Sequence, residues 1–206
     1  MTTAIRERPQ LFSGAMVRAI LDGSKTQTRR AFRMPAGMCW YADLGGEAEG
    51  WTCDDPGGGW HHVSELACPH GDVGDRLWVR ESYCPDWASK EVYRADDPSG
   101  RADWAFLYSS KPRWRPSIHM PRSACRIVLE ITEVRIERIQ SILIPDIEAE
   151  GIREYARSKG LDPSRTSSLA LWIDLWDSTN PDEYYWVRNP WTWALTFRRI
   201  TEGGGL

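Results

Sequence analysis

The sequence predicts an α+β fold: a small, strongly bent β-barrel with short flanking helices and long loop insertions. Three observations carry this. The readable strands lie far apart in the chain, interleaved with short helices. The strand–helix units at regular spacing that an open parallel sheet requires are missing. At 206 residues, 41% hydrophobic and 27% charged, the chain suits one domain over residues 1–206, with irregular insertions at about 33–69 and 84–117.

Leu11-Phe12 closes a first short strand. Ser13 to Gly23 then reads as a helix: Ser13 caps it, Ala15, Met16, Ala19 and Ile20 recur at helical spacing, and Gly23 stops it. It empties into a polar loop, Ser24 to Arg30. Between Arg33 and Pro69 the residues turn to Gly, Pro, Trp, Asp and Cys, which is turn chemistry, with room for one strand around Trp60 to Val63. The turn Gly71 to Asp75 leads into a compact strand, Arg76 to Arg80, and Cys84 to Ser117 reads as further loop. In Arg126 to Thr132, Ile127, Leu129 and Ile131 share one face; Glu133 breaks the phase before Val134 and Ile136 resume it, which marks a bulge. Pro145 to Ile152 opens as a helix with acids in its first turn, and Ser168 to Asp177 is a second, with Leu169, Trp172, Leu175 and Trp176 on one stripe. Trp191, Trp193, Leu195 and Phe197 form one face of a closing strand.

Charge and composition exclude several classes. Lys plus Arg is 26 against 29 acids, a net charge of -3, so bulk charge does not suit the chain to coating duplex DNA. Five Cys is an odd number and favours reduced thiols over a disulfide framework. Met1 to Gln10 is polar, without an apolar h-region, and no run reaches the length of a membrane span, so a cytoplasmic protein with no membrane partner is expected. Phosphate-loop, dinucleotide, zinc-protease, serine-hydrolase and zinc-deaminase signatures are missing from the sequence.

Three features remain for chemistry. Cys39, Cys53, Cys68 and His70, with His61 and His62 nearby, have the residue types of a structural zinc site but no paired CxxC spacing; scattered thiols are the alternative, and no cofactor is required. Nine of the 26 basic residues fall in two runs, Lys25, Arg29, Arg30 and Arg33, and Lys111, Arg113, Arg115, Arg122 and Arg126. Trp114 sits within the second, and there are 12 Trp against 7 Tyr and 4 Phe. Cations interleaved with rings suit a single-stranded or flipped-base ligand, whereas a solvated face and core-filling Trp are the plainer alternatives. Third, Lys25-Thr26-Gln27-Thr28 pairs a hydroxyl with an amine. Thr attacks only when a base takes its proton, and Lys serves as that base only when burial or a cation such as Arg29 or Arg30 depresses its pKa; a carboxylic acid must then protonate a leaving amine. The same segment also reads as an ordinary polar loop.

The helix followed by Gly23-Ser24-Lys25-Thr26-Gln27-Thr28-Arg29, the segment Gly74 to Glu81, Asp146-Ile147-Glu148-Ala149-Glu150-Gly151 and the Trp-rich last strand together resemble the ASCH family, which is PUA-like. More narrowly they resemble its longer phage- and prophage-encoded members. The resemblance covers about half the chain, roughly 11–30, 70–83, 116–155 and 168–199. It implies a pseudobarrel with a positive cleft beside the first helix, in a bacterial or phage-infected cell. It also implies partners among RNA, single-stranded DNA or modified nucleosides; a protein partner is not specified. Some small members hydrolyse the amide of N4-acetylcytidine, and another type is a ribonuclease. Carried over by motif, Lys25 is the base, Thr28 the nucleophile and Glu150 the acid. Arg29, Arg30, Trp78, Arg80, Arg113, Trp114 and Arg115 are then candidates for binding the nucleotide; Arg80 and Glu81 share one cleft wall, or Glu81 is a salt-bridge partner of Arg80's neighbours on the barrel surface. A non-catalytic nucleic-acid-binding module is the alternative reading. The long insertions are the departure from the compact members.

Overall fold

The structure is a computed structural model that describes residues 4–33, 38–42, 49–53, 60–62, 67–87, 90–97 and 114–200; for 38–42, 49–53, 60–62, 86–87 and 90–91 it describes the backbone alone. Its strands are β1 (Glu7–Leu11), β2 (Gln27–Ala31), β3 (Met38–Ala42), β4 (Glu49–Cys53), β5 (Trp60–His62), β6 (Arg76–Arg80), β7 (Tyr83–Trp87), β8 (Lys90–Tyr93), β9 (Val128–Arg138) and β10 (Trp191–Ile200). The α-helices are α1 (Gly14–Leu21), α2 (Ile144–Ala149), α3 (Ile152–Ser158) and α4 (Ser168–Thr179).

The α+β class holds, but the barrel does not close. Five strands form one mixed sheet in the order β1-β6-β9-β10-β2, parallel between β1 and β6 and antiparallel elsewhere. β1 and β2 are left as edges. Side chains rather than a backbone ladder link them: the Arg30 guanidinium reaches across to Leu11 O at 3.2 Å.

Local sequence accounts for most elements. The Ser13 hydroxyl caps α1 by accepting from Met16 N, and Val17, Ala19 and Ile20 are buried against the sheet. Leu77 and Val79 carry the core face of β6, and Ile127, Leu129 and Ile131 continue it through the start of β9. Opposite β10 the register steps from Thr196↔Glu133 to Phe197↔Ile131, so Thr132 is the extra residue of the expected bulge. β10 lies between β9 and β2, and Trp191 to Leu195 are buried on both faces, not on one as the alternation predicts. The helix expected from Pro145 is cut in two by Gly151, whose φ of 81° no helix interior adopts.

The insertions carry more order than their composition predicts. β3, β4 and β5 form a separate antiparallel meander, and β7 and β8 a hairpin with an irregularity between Cys84 and Trp87. Short strands that pair with their own neighbours need backbone hydrogen bonds more than apolar periodicity, so a pattern reading misses them. The segment expected as a polar loop is likewise partly a strand, since Gln27 to Ala31 pairs with β10.

Candidate active site

The cavity lies where the sheet fails to close. It measures about 510 Å³ and is walled by Pro9 to Phe12 from β1 and its end, Thr28 to Arg30 from β2, Met16 from α1, and Trp172, Leu175 and Trp176 from α4. Lys25, Thr28 and Glu150 all line it.

Backbone bonds from three directions fix the Lys25 segment. Lys25 N donates to Ala19 O at 2.8 Å, Thr26 N to Ala149 O at 2.8 Å, and Thr26 O accepts from Phe197 N at 2.9 Å. Lys25 and Glu150 thereby face each other as an isolated antiparallel bridge. Gly151 permits this approach, because a Cβ there would stand 2.8 Å from Ala19 Cβ and 3.1 Å from Lys25 Cβ.

The side chains form a buried charge network. Lys25, Thr28, Arg29 and Glu150 are each at most 3% exposed. Lys25 Nζ donates to Glu150 Oε2 at 2.8 Å, to Glu150 O at 2.8 Å and to Gln27 O at 2.7 Å, which uses all three ammonium hydrogens. Glu150 Oε1 accepts from Arg29 Nη1 at 3.1 Å, and Arg29 also pairs with Glu137 at 2.6 Å and with Asp146 at 3.5 Å. The Thr28 hydroxyl oxygen accepts from Arg30 Nη1 at 2.7 Å. Burial pushes the Lys25 amine below its usual pKa; Glu150 opposes that shift, while Arg30 and Arg29 add to it. The Lys25 amine and the Glu150 carboxylate are thus in direct contact at 2.8 Å inside the cavity wall.

No family model, curated protein or solved structure matches the chain.

Of the other candidate residues, Arg29 and Arg30 line the cavity and the remaining described ones do not. Trp78 and Arg80 alternate with the core residues Leu77 and Val79 and so project from the opposite sheet face. There the Arg80 guanidinium stacks 5.4 Å from the Trp78 ring and donates to Ile118 O. Trp114 is half-buried under Arg94 at 5.2 Å, and exposed Arg115 bridges by its backbone to Tyr83, away from the cavity lining. Arg113 lies outside the described residues. Glu81 is 1% exposed and holds Arg126 at 2.8 Å, so it is a buried ion-pair partner rather than a cleft residue.

Among the described residues no three His, Cys, Asp or Glu side chains gather as a metal site. Cys68 is buried and free, and the side chains of Cys39, Cys53, His61 and His62 lie outside the described residues. His70 stands on the cavity wall, which its reading as a zinc candidate did not anticipate. Trp172 and Trp176 are also wall residues; their helical stripe signals a buried face without saying whether core or cavity lies beneath it. Gln10 carries no sequence signal. Among the described residues no helix is long and apolar enough to cross a membrane.

Proposed function

We propose that the chain is an ASCH-type, PUA-like protein that hydrolyses the amide of an N4-acylated cytidine, with Lys25, Thr28 and Glu150 as base, nucleophile and acid. The observation that carries this reading is that all three line one cavity of about 510 Å³. The edge position of β1 and β2 is consistent with a PUA-like pseudobarrel left open at its ligand cleft.

The reaction begins with a proton passing along the 2.8 Å bond from Lys25 Nζ to Glu150 Oε2, which creates a neutral amine and a carboxylic acid together. The amine takes the Thr28 hydroxyl proton as Oγ1 attacks the acyl carbonyl. Arg30, bonded to that oxygen, favours its negative charge. Glu150 protonates N4, and cytidine leaves. Water, deprotonated by the re-formed Lys25–Glu150 pair, attacks the Thr28 ester; the C–Oγ1 bond breaks, the pair returns the proton to Thr28 Oγ1, and the carboxylic acid is released. One water is consumed per amide.

Incubation with N4-acetylcytidine and chromatography for cytidine tests the reading. Turnover is expected, falling by about three orders of magnitude in Thr28→Ala and less in Thr28→Ser. Absence of turnover, or equal turnover in Thr28→Ala, overturns it. A non-catalytic module for RNA or single-stranded DNA, or a ribonuclease, is the second reading, supported by the exposed Arg33 and Arg115. It predicts salt-sensitive oligonucleotide binding without cytidine release.

A further inference from the structure

A second cavity of about 570 Å³ adjoins the first, and Arg30, His70 and Asn180 line both. The rest of its wall is mostly apolar, with Phe32, Ala67, Pro69 and Trp193 among its residues, plus Arg33. Among the described residues no acidic side chain lines it.

The charge of Arg30 is balanced by no carboxylate bond. Its Nη1 donates to Thr28 Oγ1 at 2.7 Å and to Arg29 O at 2.9 Å, and its Nη2 to Leu11 O at 3.2 Å. With the Gln10 amide oriented so that its oxygen faces the guanidinium, that oxygen accepts from Nη2 at 2.7 Å and from Nε at 2.8 Å. All of these acceptors are neutral. Glu150, the one carboxylate among the described residues that line either cavity, is already held by Lys25 and Arg29. Arg33 is exposed and makes no ion pair among the described residues. Two guanidinium charges, one bonded only to neutral acceptors and one exposed, thus stand around a hollow with no acid among its described lining residues, beside the first cavity. Arg30, whose five N–H groups are engaged, supplies charge, and exposed Arg33 supplies charge and hydrogen-bond donors, to an anion linked to the first cavity's occupant.

We infer that the second cavity is a phosphate subsite, so that the preferred ligand is a phosphorylated cytidine rather than the free nucleoside. The phosphate is either a terminal monoester or the diester to a neighbouring nucleotide. This rests on the proposed cytidine reading for the first cavity, but it is tested by binding, which requires no turnover.

Calorimetric titrations of the full chain with cytidine, cytidine 5′-monophosphate and a cytidine dinucleotide supply the test. At least one phosphorylated ligand is expected to bind about tenfold tighter than cytidine, with the advantage shrinking as salt is raised. The tighter of the two identifies monoester or diester. Arg33→Ala, at an exposed position, and Ala67→Glu, which puts a carboxylate into the hollow, are each expected to remove most of that advantage while leaving cytidine binding unchanged. Equal binding of all three ligands, or an advantage that survives both substitutions, overturns the inference. A phosphate advantage without any release of cytidine from N4-acetylcytidine sustains the subsite and sinks only the hydrolase reading. Turnover with no phosphate advantage does the reverse.

Discussion

Gly151 joins the fold to the site, and replacing it separates two physical effects. It has a φ of 81°, a region where an L-residue costs about 1–2 kcal/mol. An added Cβ would also lie 2.8 Å from Ala19 Cβ and 3.1 Å from Lys25 Cβ. Ala19 is fully buried on α1, and Lys25 is fixed by its backbone and Nζ bonds, so neither is a flexible tip that can swing away. Overpacking of this kind adds about 1–3 kcal/mol, for a total near 3 kcal/mol in Gly151→Ala. Gly160 is the internal control: its φ is 72°, but a Cβ there meets nothing within 4 Å. Gly160→Ala therefore carries the backbone cost alone, about 1 kcal/mol, and the stiffening of the unfolded chain cancels between the two variants. Urea unfolding followed by tryptophan fluorescence measures both. Equal midpoint shifts for the two variants would refute the claim that the close approach of α1, Lys25 and Gly151 is tightly packed.

Two further predictions concern buried charges. Burial, with Arg30 and Arg8 adding to it, lowers the His70 pKa from 6.5 to about 4. Well above 6.5 the imidazole is neutral in both states; as the pH falls through 6.5, the unfolded chain binds the proton first, so stability drops between about 6.5 and about 4, by roughly 2 kcal/mol after allowance for partial exposure. Melts of His70→Gln across that window should show a shallower decline, and a curve parallel to the wild type's would contradict the assignment. Arg126 donates to Glu81 at 2.8 and 3.0 Å and to Asp96 at 2.8 and 2.9 Å. Arg126→Ala leaves the buried Glu81 carboxylate without that partner and should cost about 3–5 kcal/mol, whereas Arg126→Met combined with Glu81→Leu should cost less than the single change; strictly additive losses in a denaturant double-mutant cycle would exclude the coupling.

Elements whose reason is local were legible in the sequence. The Ser13 cap, the α1 stripe and the phase break near Glu133 each depend on residues a few positions apart, and each is found where the pattern places it. β2 was not legible, because Arg29 is buried by virtue of Glu137 and Glu150, 108 and 121 residues away, and a periodicity count sees only an unpartnered polar run. The open sheet was hidden for a related reason: spacing along the chain carries no strand order, and order alone leaves β1 and β2 at the edges. Tryptophan divides the same way. Trp172, Trp176, Trp191 and Trp193 are buried, while Trp78 on the far face packs under Arg80, and composition does not distinguish these roles.

Arg29 explains how so charged a site survives burial. It ties Glu150 to Glu137 on β9 and Asp146 on α2, so Glu150 Oε1 is committed to Arg29 while Oε2 faces Lys25. A proton leaving Lys25 can settle only on Oε2, the oxygen already 2.8 Å from the amine, so on the proposed chemistry base and acid arise in a single transfer. In the resting state that transfer is opposed by the attraction of ammonium for carboxylate and favoured by the cost of keeping both charges out of water. On the proposed chemistry a ligand that fills the cavity removes what solvent remains, which raises that cost and favours the transfer. On the proposed chemistry Thr28 loses its proton only in a filled site, and the empty cavity holds the resting ion pair.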